Sequence, residues 1–532
     1  MNNPAPDPQP TQRGDLLAAL RQNKTWDLAV IGGGATGLGV ALDAVLRGFS
    51  VVLLESRDFA AGTSSRATKL VHGGVRYLAQ GNVPLVAEAL HERTRLLHNA
   101  PHLARPLPFV MPSYEWWEVP FYGVGLKVYD LLAGSHGLGR TEFLSRQEVL
   151  RCLPGVRPDR LVGGVKYWDG QFDDARMALA LARTAASQGA LLVNHCDVKG
   201  LIHEAEKVAG LTCADVETAE TFTVRARCVI NATGVWADGL RQLDGDALGR
   251  PVHPLVAPSQ GVHLVVDRDF LPGDHALLVP KTRDGRVLFA VPWLGKLILG
   301  TTDTPRHDIP LEPEPFGHEV AFILNESARY LRRAPRREDV RSCWVGLRPL
   351  VKSAQVEEGN TKALSREHSV LVSRSALVTV TGGKWTTYRA MAEEVLHRCM
   401  SENLLPQRPA GATRNQLLAG AHGSGNVRPA PDGWNALSCY GTEATAVLAL
   451  PGAQRQLGGG LTEAMVRFAV RYEYARTVED VLARRVRLLF LDARLAARLA
   501  PEVGAIIAEE TGADPEVKLF EALAQKYLHL PE

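Results

Sequence analysis

The predicted architecture follows from Asp27-Leu-Ala-Val-Ile31 and the residues directly after it, Gly32-Gly33-Gly34-Ala35-Thr36-Gly37. The apolar, partly β-branched residues before the glycines predict a short buried strand, and the glycines predict a tight turn. Leu38 to Arg47 continues with apolar residues at helical spacing, and Ser50 to Leu54 predicts a second buried strand that ends at Glu55. Strand, glycine turn, helix, strand and acid in this register are the fingerprint of a dinucleotide-binding fold.

The glycines and the acid have separate predicted roles in that fold. Gly32 allows the sharp turn, Gly34 lets a pyrophosphate touch the backbone, and Gly37 lets helix and strand pack closely. The N-terminus of the helix offers free N–H groups and a positive dipole end to the phosphates. Glu55, about twenty residues on, stands where a carboxylate accepts hydrogen bonds from a ribose diol. A purely structural turn is the alternative, but it does not account for all these features in register. The residues predicted here to contact the cofactor are Gly32, Gly34, Ala35, Thr36, Gly37 and Glu55.

The composition is that of an ordinary soluble globular protein. The chain has 532 residues, too many for one compact core, so two or three domains are expected. A net charge of +2 argues against a dedicated nucleic-acid binder. The seven cysteines are scattered, odd in number and never form a Cys-x-x-Cys pair. They predict buried thiols in a reduced compartment, with no disulfide framework and no metal site.

Targeting signals are not predicted by the sequence. Met1 to Pro10 has no basic start and no apolar centre, so it predicts a disordered tail rather than a signal peptide. No stretch approaches the roughly 18 unbroken apolar residues that a membrane-spanning helix needs. The expected location is therefore the cytoplasm, with attachment to a membrane surface left open.

A second motif follows the first, Thr63-Ser-Ser-Arg-Ala-Thr-Lys-Leu-Val-His72-Gly73-Gly74-Val-Arg76-Tyr77-Leu. Its hydroxyls and cations can hydrogen-bond phosphate and ribitol oxygens, or they can merely cap the next helix. The motif resembles the signature of FAD-dependent glycerol-3-phosphate dehydrogenases of the respiratory type. The glycine fingerprint alone serves NAD and FAD equally, and this resemblance selects FAD.

Later segments resemble the same family, and the resemblance extends from about Asp27 to Arg389. Asn231-Ala-Thr-Gly234 ends a predicted strand, and in the family this turn adjoins FAD. Gly300-Thr-Thr-Asp303 ends another predicted strand. Leu377 to Arg389 repeats strand, double glycine and helix, and the helix N-terminus together with Lys384 would direct positive charge at a ligand. The cofactor contacts that the resemblance implies are Thr63, Ser64, Ser65, Lys69, Leu70, Ala232, Thr233, Gly234, Gly383, Lys384 and Thr386.

The resemblance also implies a site for sn-glycerol 3-phosphate. Its motifs place substrate contacts at His72, Arg76, Tyr77, Arg348 and Lys384, with His72 and Arg348 in catalytic roles. Arginine gives a phosphate dianion a rigid donor fork, and tyrosine adds a hydroxyl. Transfer of a hydride from C2 to the flavin requires an acceptor for the C2 hydroxyl proton, and imidazole suits that task. An arginine beside the forming alkoxide would stabilise it. In the structural alternative His72 is a loop residue and Arg76 with Tyr77 is a surface pair, whereas a partly buried Arg348 needs an anionic partner.

The predicted fold is α/β, with an FAD-binding Rossmann-like domain, an inserted antiparallel-sheet substrate domain and a helical C-terminal domain. The insertion follows from alternating strand patterns between Val252 and Asp303. The helical patterns beyond residue 433 include Val478–Leu489, which carries three arginines and no catalytic constellation. The predicted boundaries are 1–26 for an N-terminal tail, 27–105 with 160–250 and 343–400 for the FAD-binding domain, 106–159 with 251–342 for the substrate-binding domain, 401–433 for a linker and 434–532 for the C-terminal domain.

The aromatic stretch from Tyr114 to Leu132 has two interpretations, ordinary core or an interfacial anchor, because Trp and Tyr favour the lipid headgroup region. The functional hypothesis is oxidation of sn-glycerol 3-phosphate to dihydroxyacetone phosphate, with electrons passed to a membrane quinone. The expected enzyme is cytoplasmic and peripherally attached to the lipid surface at the inner face of the cell membrane. The alternatives are an oxidase that gives electrons to oxygen and a non-catalytic flavin-binding scaffold. The sequence leaves the oligomeric state open, with a homodimer as one outcome.

Overall fold

The computed structural model describes residues 8–74, 82–282, 285–352, 368–422 and 436–532. Its strands are β1 (Thr25–Ile31), β2 (Val51–Leu54), β3 (Leu70–Val71), β4 (Ala104–Ser113), β5 (Glu142–Ser145), β6 (Gly163–Phe172), β7 (Leu191–Val193), β8 (Cys196–Glu204), β9 (Lys207–Asp215), β10 (Thr221–Asn231), β11 (Val256–Asp267), β12 (Ala276–Val279), β13 (Leu288–Trp293), β14 (Lys296–Gly300), β15 (Thr304–Pro305), β16 (Ser342–Val351), β17 (His368–Val372), β18 (Val378–Gly382), β19 (Gln456–Gly458) and β20 (Leu461–Thr462). Its α-helices are α1 (Arg13–Leu20), α2 (Ala35–Leu46), α3 (Val83–Asn99), α4 (Glu118–Ala133), α5 (Arg146–Cys152), α6 (Asp174–Ser187), α7 (Ala237–Ala247), α8 (Gly317–Tyr330), α9 (Tyr388–Ser401), α10 (Ala444–Leu448), α11 (Glu463–Tyr472), α12 (Leu488–Leu491), α13 (Ala493–Thr511) and α14 (Val517–Leu528).

One sheet carries the predicted dinucleotide-binding unit. Its order is β17-β18-β10-β1-β2-β7, and β8 with β9 forms an antiparallel extension on β10. Helix α2 connects β1 to β2 and packs against α6 and α9, so the predicted strand, turn, helix and strand are confirmed. Because β18, β10, β1 and β2 run parallel, their carboxyl ends meet at one edge, where ligands bind in open α/β sheets.

A second sheet has the order β15-β11-β14-β13-β12-β4-β6-β3, with β16 beside β11 and β5 beside β6. Its described strand pairs are antiparallel except β12 with β4, in agreement with the predicted inserted sheet. Strands β6 and β16 belong to this sheet, although the predicted boundaries assign their residues to the FAD-binding domain. The reason is long-range pairing, because β6 pairs with β4 and β16 with β11 along their lengths.

The C-terminal region is helical, as predicted, and α11, α13 and α14 pack together around a short hairpin of β19 and β20. The predicted helix over Val478–Leu489 is not continuous. A π-helical turn at Asp480–Arg485 is followed by Arg487 at a φ of 61° and then by α12. A residue in the left-handed region interrupts a helix, so the residues before and after Arg487 do not share one helical axis.

The described part of the predicted linker over 401–433 is packed, which corrects that prediction. Leu418 is buried, and its backbone N–H donates to the carbonyl oxygen of Asn99 at 2.9 Å. An irregular segment packs in this way when its backbone polar groups find partners. The predicted tail also contains ordered structure, because α1 buries Leu17 and Leu20 against the first sheet.

Helix α4 and the turn before it lie at the surface of the second sheet with an apolar face outward. Trp116 is 77% exposed, Phe121 66% and Leu131 79%, whereas Leu126 and Tyr129 on the opposite face are buried. Of the two interpretations of the stretch from Tyr114 to Leu132, ordinary core is therefore wrong for the exposed rings of Trp116 and Phe121. Among the helices of the described residues, none combines the length and the apolar character that crossing a membrane would require.

Candidate functional site

The turns after β1, β2, β10 and β18 enclose a cavity of about 370 Å³ at the carboxyl edge of the first sheet. The structure thus brings together motifs that lie far apart in the chain. The residues predicted as cofactor contacts that line the cavity are Gly32, Gly34, Ala35, Thr36, Glu55, Thr63, Ser64, Ala232, Thr233, Gly234, Gly383 and Lys384. Lining residues that the sequence did not indicate include Arg57, Asp197, Trp236, Leu311 and Trp385.

The glycine turn has a geometry that requires glycine at two positions. Gly32 has a φ of +108°, and a Cβ there would lie 2.7 Å from the carbonyl oxygen of Ala232. A Cβ on Gly37 would lie 2.0 Å from the carbonyl oxygen of Gly32, so this glycine permits close packing rather than lining the cavity. A Cβ on Gly34 would come within 3.0 Å of Ser64 Oγ at the cavity wall. Because glycine has no side chain and Gly34 lines the cavity, a ligand in the cavity can contact the backbone at this residue.

Glu55 is fixed at the end of β2 by backbone donors. Its Oε2 accepts a hydrogen bond from the N–H of Gly33 at 2.7 Å, and its Oε1 accepts one from the N–H of Arg57 at 2.9 Å. Burial raises the pKa of Glu55 above its ordinary value. Oε1 also accepts from Ser56 Oγ at 3.3 Å, and because a carboxylate has about four acceptor sites, Oε2 retains capacity for a ribose hydroxyl.

Hydrogen bonds join the second motif to two other walls of the cavity. Ser64 Oγ accepts from the N–H of Ala35 at 2.9 Å, and the carbonyl oxygen of Ser64 accepts from Trp385 Nε1 at 2.8 Å. Thr63 Oγ1 donates to the carbonyl oxygen of Leu347 on β16 at 2.6 Å. The motif therefore contacts the glycine turn, the segment after β18 and the second sheet.

Five residues predicted as cofactor contacts are not part of the cavity lining, namely Gly37, Ser65, Lys69, Leu70 and Thr386. Lys69 departs most from the prediction, because its Nζ is fully buried and donates to the carbonyl oxygen of Ser65 and to Asp174, each at 2.7 Å. Burial lowers the pKa of Lys69 to about 7. Lys69 has a φ of 65°, and its ammonium group lies 4.6 Å from the ring centroid of Trp344. It therefore stabilises the turn behind the cavity.

Arg348 lies on β16, one residue beyond the carbonyl that Thr63 contacts. Its Nη2 donates to the carbonyl oxygen of Thr302 at 2.9 Å, and its Nη1 lies 3.3 Å from Asp303. The side chain of Arg348 is 25% exposed, and Arg348 itself is not part of the cavity lining. A Cβ on Gly261 would lie 2.3 Å from Arg348 Nη2, so glycine there makes room for the guanidinium.

His72 follows β3, and its segment meets the segment that follows β18. The backbone N–H of His72 lies 3.3 Å from Thr386 Oγ1, two residues from the cavity-lining Lys384. The structure therefore brings His72 and Lys384 into neighbouring segments. Arg76 and Tyr77, the other predicted substrate contacts, lie outside the described residues.

The structure adds His263 as a candidate site residue, which no motif in the sequence indicated. Its Nε2 lies 2.9 Å from Thr68 Oγ1, and its ring stacks on Trp344 at a centroid distance of 4.0 Å. Burial, with nearby Lys69 and Arg348, holds the pKa of His263 well below its ordinary value, so the imidazole is neutral. A single histidine in a β-strand pattern has no local signal that distinguishes it from core. In the described part of the chain, no group of three or more His, Cys, Asp or Glu residues could hold a metal ion.

The families that match this chain are consistent with a dinucleotide-binding cleft. A family model described as FAD dependent oxidoreductase matches residues 27–389, and one described as the C-terminal domain of alpha-glycerophosphate oxidase matches residues 411–518. The glycine turn, the N-terminus of α2 and Glu55 form a cradle that fits the pyrophosphate and ribose of FAD. The fold and cleft thus define an FAD-dependent oxidoreductase, with FAD as its cofactor.

Individual relatives narrow the assignment. The mitochondrial glycerol-3-phosphate dehydrogenase of Rattus norvegicus is 41% identical over 94% of this chain and 73% of that protein. The corresponding protein of Homo sapiens is 40% identical over 98% of this chain and 75% of that protein. The solved glycerol-3-phosphate dehydrogenase of Bacillus halodurans, complexed with FAD, is 28% identical with a TM-score of 0.77, covering 97% of this chain and 98% of that one. The chain belongs to the family of FAD-dependent glycerol-3-phosphate dehydrogenases.

Proposed function

We propose that this enzyme oxidises sn-glycerol 3-phosphate to dihydroxyacetone phosphate and passes the electrons to a membrane quinone. The observation that carries the substrate assignment is the position of Arg348, a partly exposed arginine on β16 next to the residue that contacts Thr63 of the cavity wall. A guanidinium fork suits a phosphate or a developing alkoxide. The similarity to mitochondrial glycerol-3-phosphate dehydrogenases supports the same substrate.

The proposed chemistry divides among three side chains. When bound, FAD supplies the two-electron acceptor. His72 accepts the proton of the C2 hydroxyl, and the hydrogen bond of its backbone to Thr386 Oγ1 limits the movement of the segment. Arg348 stabilises negative charge on the substrate, and Lys384 adds a second cation at the cavity wall.

The proposed quinone acceptor requires contact with a lipid surface, and α4 is the proposed anchor. Trp116, Phe121 and Leu131 present exposed apolar area, and Lys127 on the same helix is an exposed cation. Amphipathic helices with outward aromatic residues bind in the interfacial plane of a bilayer. We therefore place the enzyme peripherally at the inner face of the cell membrane.

Anaerobic addition of sn-glycerol 3-phosphate to the purified holoprotein tests the substrate assignment. The expected result is bleaching of the flavin absorption band, whereas glycerol without a phosphate leaves the band unchanged. An unchanged band with both compounds would favour the flavin-binding scaffold. A second experiment in air separates the acceptors, because a dehydrogenase reduces a quinone analogue and an oxidase produces peroxide at its turnover rate.

A vesicle flotation assay tests the anchor. The double variant Trp116→Ser with Trp117→Ser is expected to retain flavin and dye reductase activity while losing both flotation and quinone reduction. Leu448→Ser with Leu519→Ser is the matched control, since it removes exposed apolar side chains from the C-terminal region. The anchor lies elsewhere if the tryptophan variant floats as the wild type does.

A further inference from the structure

One wall of the FAD cavity is the Glu55–Ser65 segment, which connects β2 to the second motif. The backbone N–H of Ala60 donates to the carbonyl oxygen of Gly33 at 2.9 Å, which joins the segment to the glycine turn. Asp58 and Ser65 are buried on the side of the segment away from the cavity lining. The residues of the segment that line the cavity are Glu55, Ser56, Arg57, Ala60, Ala61, Gly62, Thr63 and Ser64.

Three arginines from the C-terminal region, here called the arginine triplet (Arg484, Arg485 and Arg487), contact the buried side of this segment. Arg484 Nε donates to Asp58 Oδ2, and Arg485 Nη2 donates to Asp58 Oδ1 at 3.0 Å. Arg487 Nη2 donates to the carbonyl oxygen of Ser65 at 2.7 Å. The triplet therefore holds the segment near its beginning and at its end.

The triplet has an unusual local backbone. Arg484 and Arg485 lie in the π-helical turn, and Arg487 has a φ of 61°. All three side chains are buried, at 3%, 1% and 1% exposure. Burial of charge and a left-handed non-glycine residue both cost free energy, and π-helical turns recur at functional sites. Simple packing of a helical region on the first sheet would require none of these features.

The segment that the triplet holds is mostly irregular, with only a short helical turn at Thr63–Ser65. Irregular segments are mobile unless contacts order them, and a ligand that must order its own site binds more weakly. A segment already held at Asp58 and Ser65 has lost that freedom before the cofactor binds. The affinity for the dinucleotide then depends on residues that do not line its cavity.

We propose that the C-terminal region functions in cofactor retention, and that Arg484, Arg485 and Arg487 are positioning residues for the FAD-binding segment. Asp58 transmits the contact at one end, and the carbonyl group of Ser65 transmits it at the other. Weakening the triplet leaves the fold intact but lets the segment open, so FAD leaves faster. This role concerns binding of FAD and does not depend on the identity of the substrate or electron acceptor.

The rate of FAD release from the holoprotein tests the proposal. Arg487→Lys keeps the charge but removes the planar fork with which Arg487 contacts Ser65 and, at 3.1 Å, Asp174. The matched control is Arg467→Lys, because Arg467 is also a buried arginine of the C-terminal region and pairs there with Glu463 and Glu509. The measurements are the recovery of flavin fluorescence after dilution and the unfolding midpoint of each apoprotein.

Arg487→Lys is expected to raise the FAD dissociation rate about tenfold or more, as for loss of one charged hydrogen bond, with little change in the apoprotein midpoint. Arg467→Lys is expected to lower the midpoint and leave FAD release unchanged. Equal FAD release from wild type and Arg487→Lys, or equal acceleration in both variants, overturns the proposal. If Arg487→Lys fails to fold, Asp58→Asn, which keeps the shape of the side chain, is judged by the same criteria.

Discussion

The Oη atom of Tyr129 lies 2.9 Å from the backbone nitrogen of Gly73, the residue that follows His72. The same hydroxyl donates to Asp169 at 3.0 Å, and Arg93 donates to Asp169 at 2.9 Å. Tyr129 is on the inner face of α4, whose outer face carries the exposed aromatic rings. The helix proposed to contact lipid therefore also contacts the segment that carries the proposed base.

Tyr129→Phe is expected to lower kcat about tenfold with a smaller change in KM. The substitution keeps the ring but leaves the N–H of Gly73 without its acceptor, and a buried unpaired group costs about 1–3 kcal/mol. The pH profile of kcat should shift as well, because the position of His72 changes. Tyr122→Phe, on the same helix, serves as the control and should behave as wild type. An unchanged profile for Tyr129→Phe would show that its hydroxyl is only structural.

Arg348→Ala is expected to lower turnover and substrate affinity together. Arg348 contacts the Thr301–Asp303 turn, and losing one charged partner of the substrate should cost about 2–4 kcal/mol in transition-state binding. Steady-state kinetics at limiting and saturating substrate measure both effects. Arg341→Ala is the matched control, since Arg341 precedes β16 and pairs with Asp267 at the surface. Wild-type constants for Arg348→Ala would remove this residue from the site.

Gly34→Val and Glu55→Gln are each expected to yield protein poor in flavin. A side chain at residue 34 would enter the space beside Ser64 Oγ, and a glutamine at residue 55 cannot accept with both terminal atoms. The ratio of flavin to protein after gel filtration measures the effect. Gly239→Val is the control, because a Cβ there meets nothing within 4 Å. Full flavin content in Gly34→Val would contradict the position of the pyrophosphate.

His195 is expected to make stability depend on pH. Burial opposes its protonation, but Asp480, 3.0 Å from its Nε2, outweighs burial and raises the pKa of His195 above 6.5. Because the pKa of His195 is higher in the folded state than in the unfolded state, its protonation stabilises the folded protein. This contribution is fully present below the unfolded pKa of about 6.5 and is lost as pH rises through the folded pKa. In urea unfolding, the free-energy difference between wild type and His195→Gln should therefore shrink from pH 6 upward. A difference that grows with pH would contradict the sign of this linkage.

His275→Gln provides the control for that titration. His275 also lies beside a carboxylate, Asp274, at 2.7 Å, but that carboxylate is 87% exposed. Solvent screens such a pair, so the substitution should change the free energy of unfolding little.

The features that the sequence predicted are those with local signals. The turn at Gly32 and the acid at Glu55 follow from short spacings, and both residues line the cavity. Lys69 follows a run of hydroxyls in the same way, but its partner Asp174 is distant in the chain and draws the ammonium behind the cavity. A motif indicates residue types, whereas the direction of a side chain depends on partners that the motif does not contain.

The arginine triplet illustrates the same limit. Its apolar neighbours predict an ordinary helix over Val478–Leu489, but Arg484 and its partner Asp58 are 426 positions apart. No periodicity relates residues at that separation. The packed segment around Leu418 escaped prediction for a related reason, because glycine and proline indicate irregular backbone without indicating whether it is buried.

The order of the cavity walls along the chain has a consequence for biosynthesis. The walls arise after β1, β2, β10 and β18, and the arginines behind one of them come later still. A nascent chain on the ribosome lacks the wall after β18 until residue 382 of 532 has been added, and it lacks the arginine triplet until residue 487. Domains fold as units during translation, but this cleft closes only when distant segments meet. FAD is therefore expected to load after release from the ribosome, and C-terminally truncated products should emerge colourless.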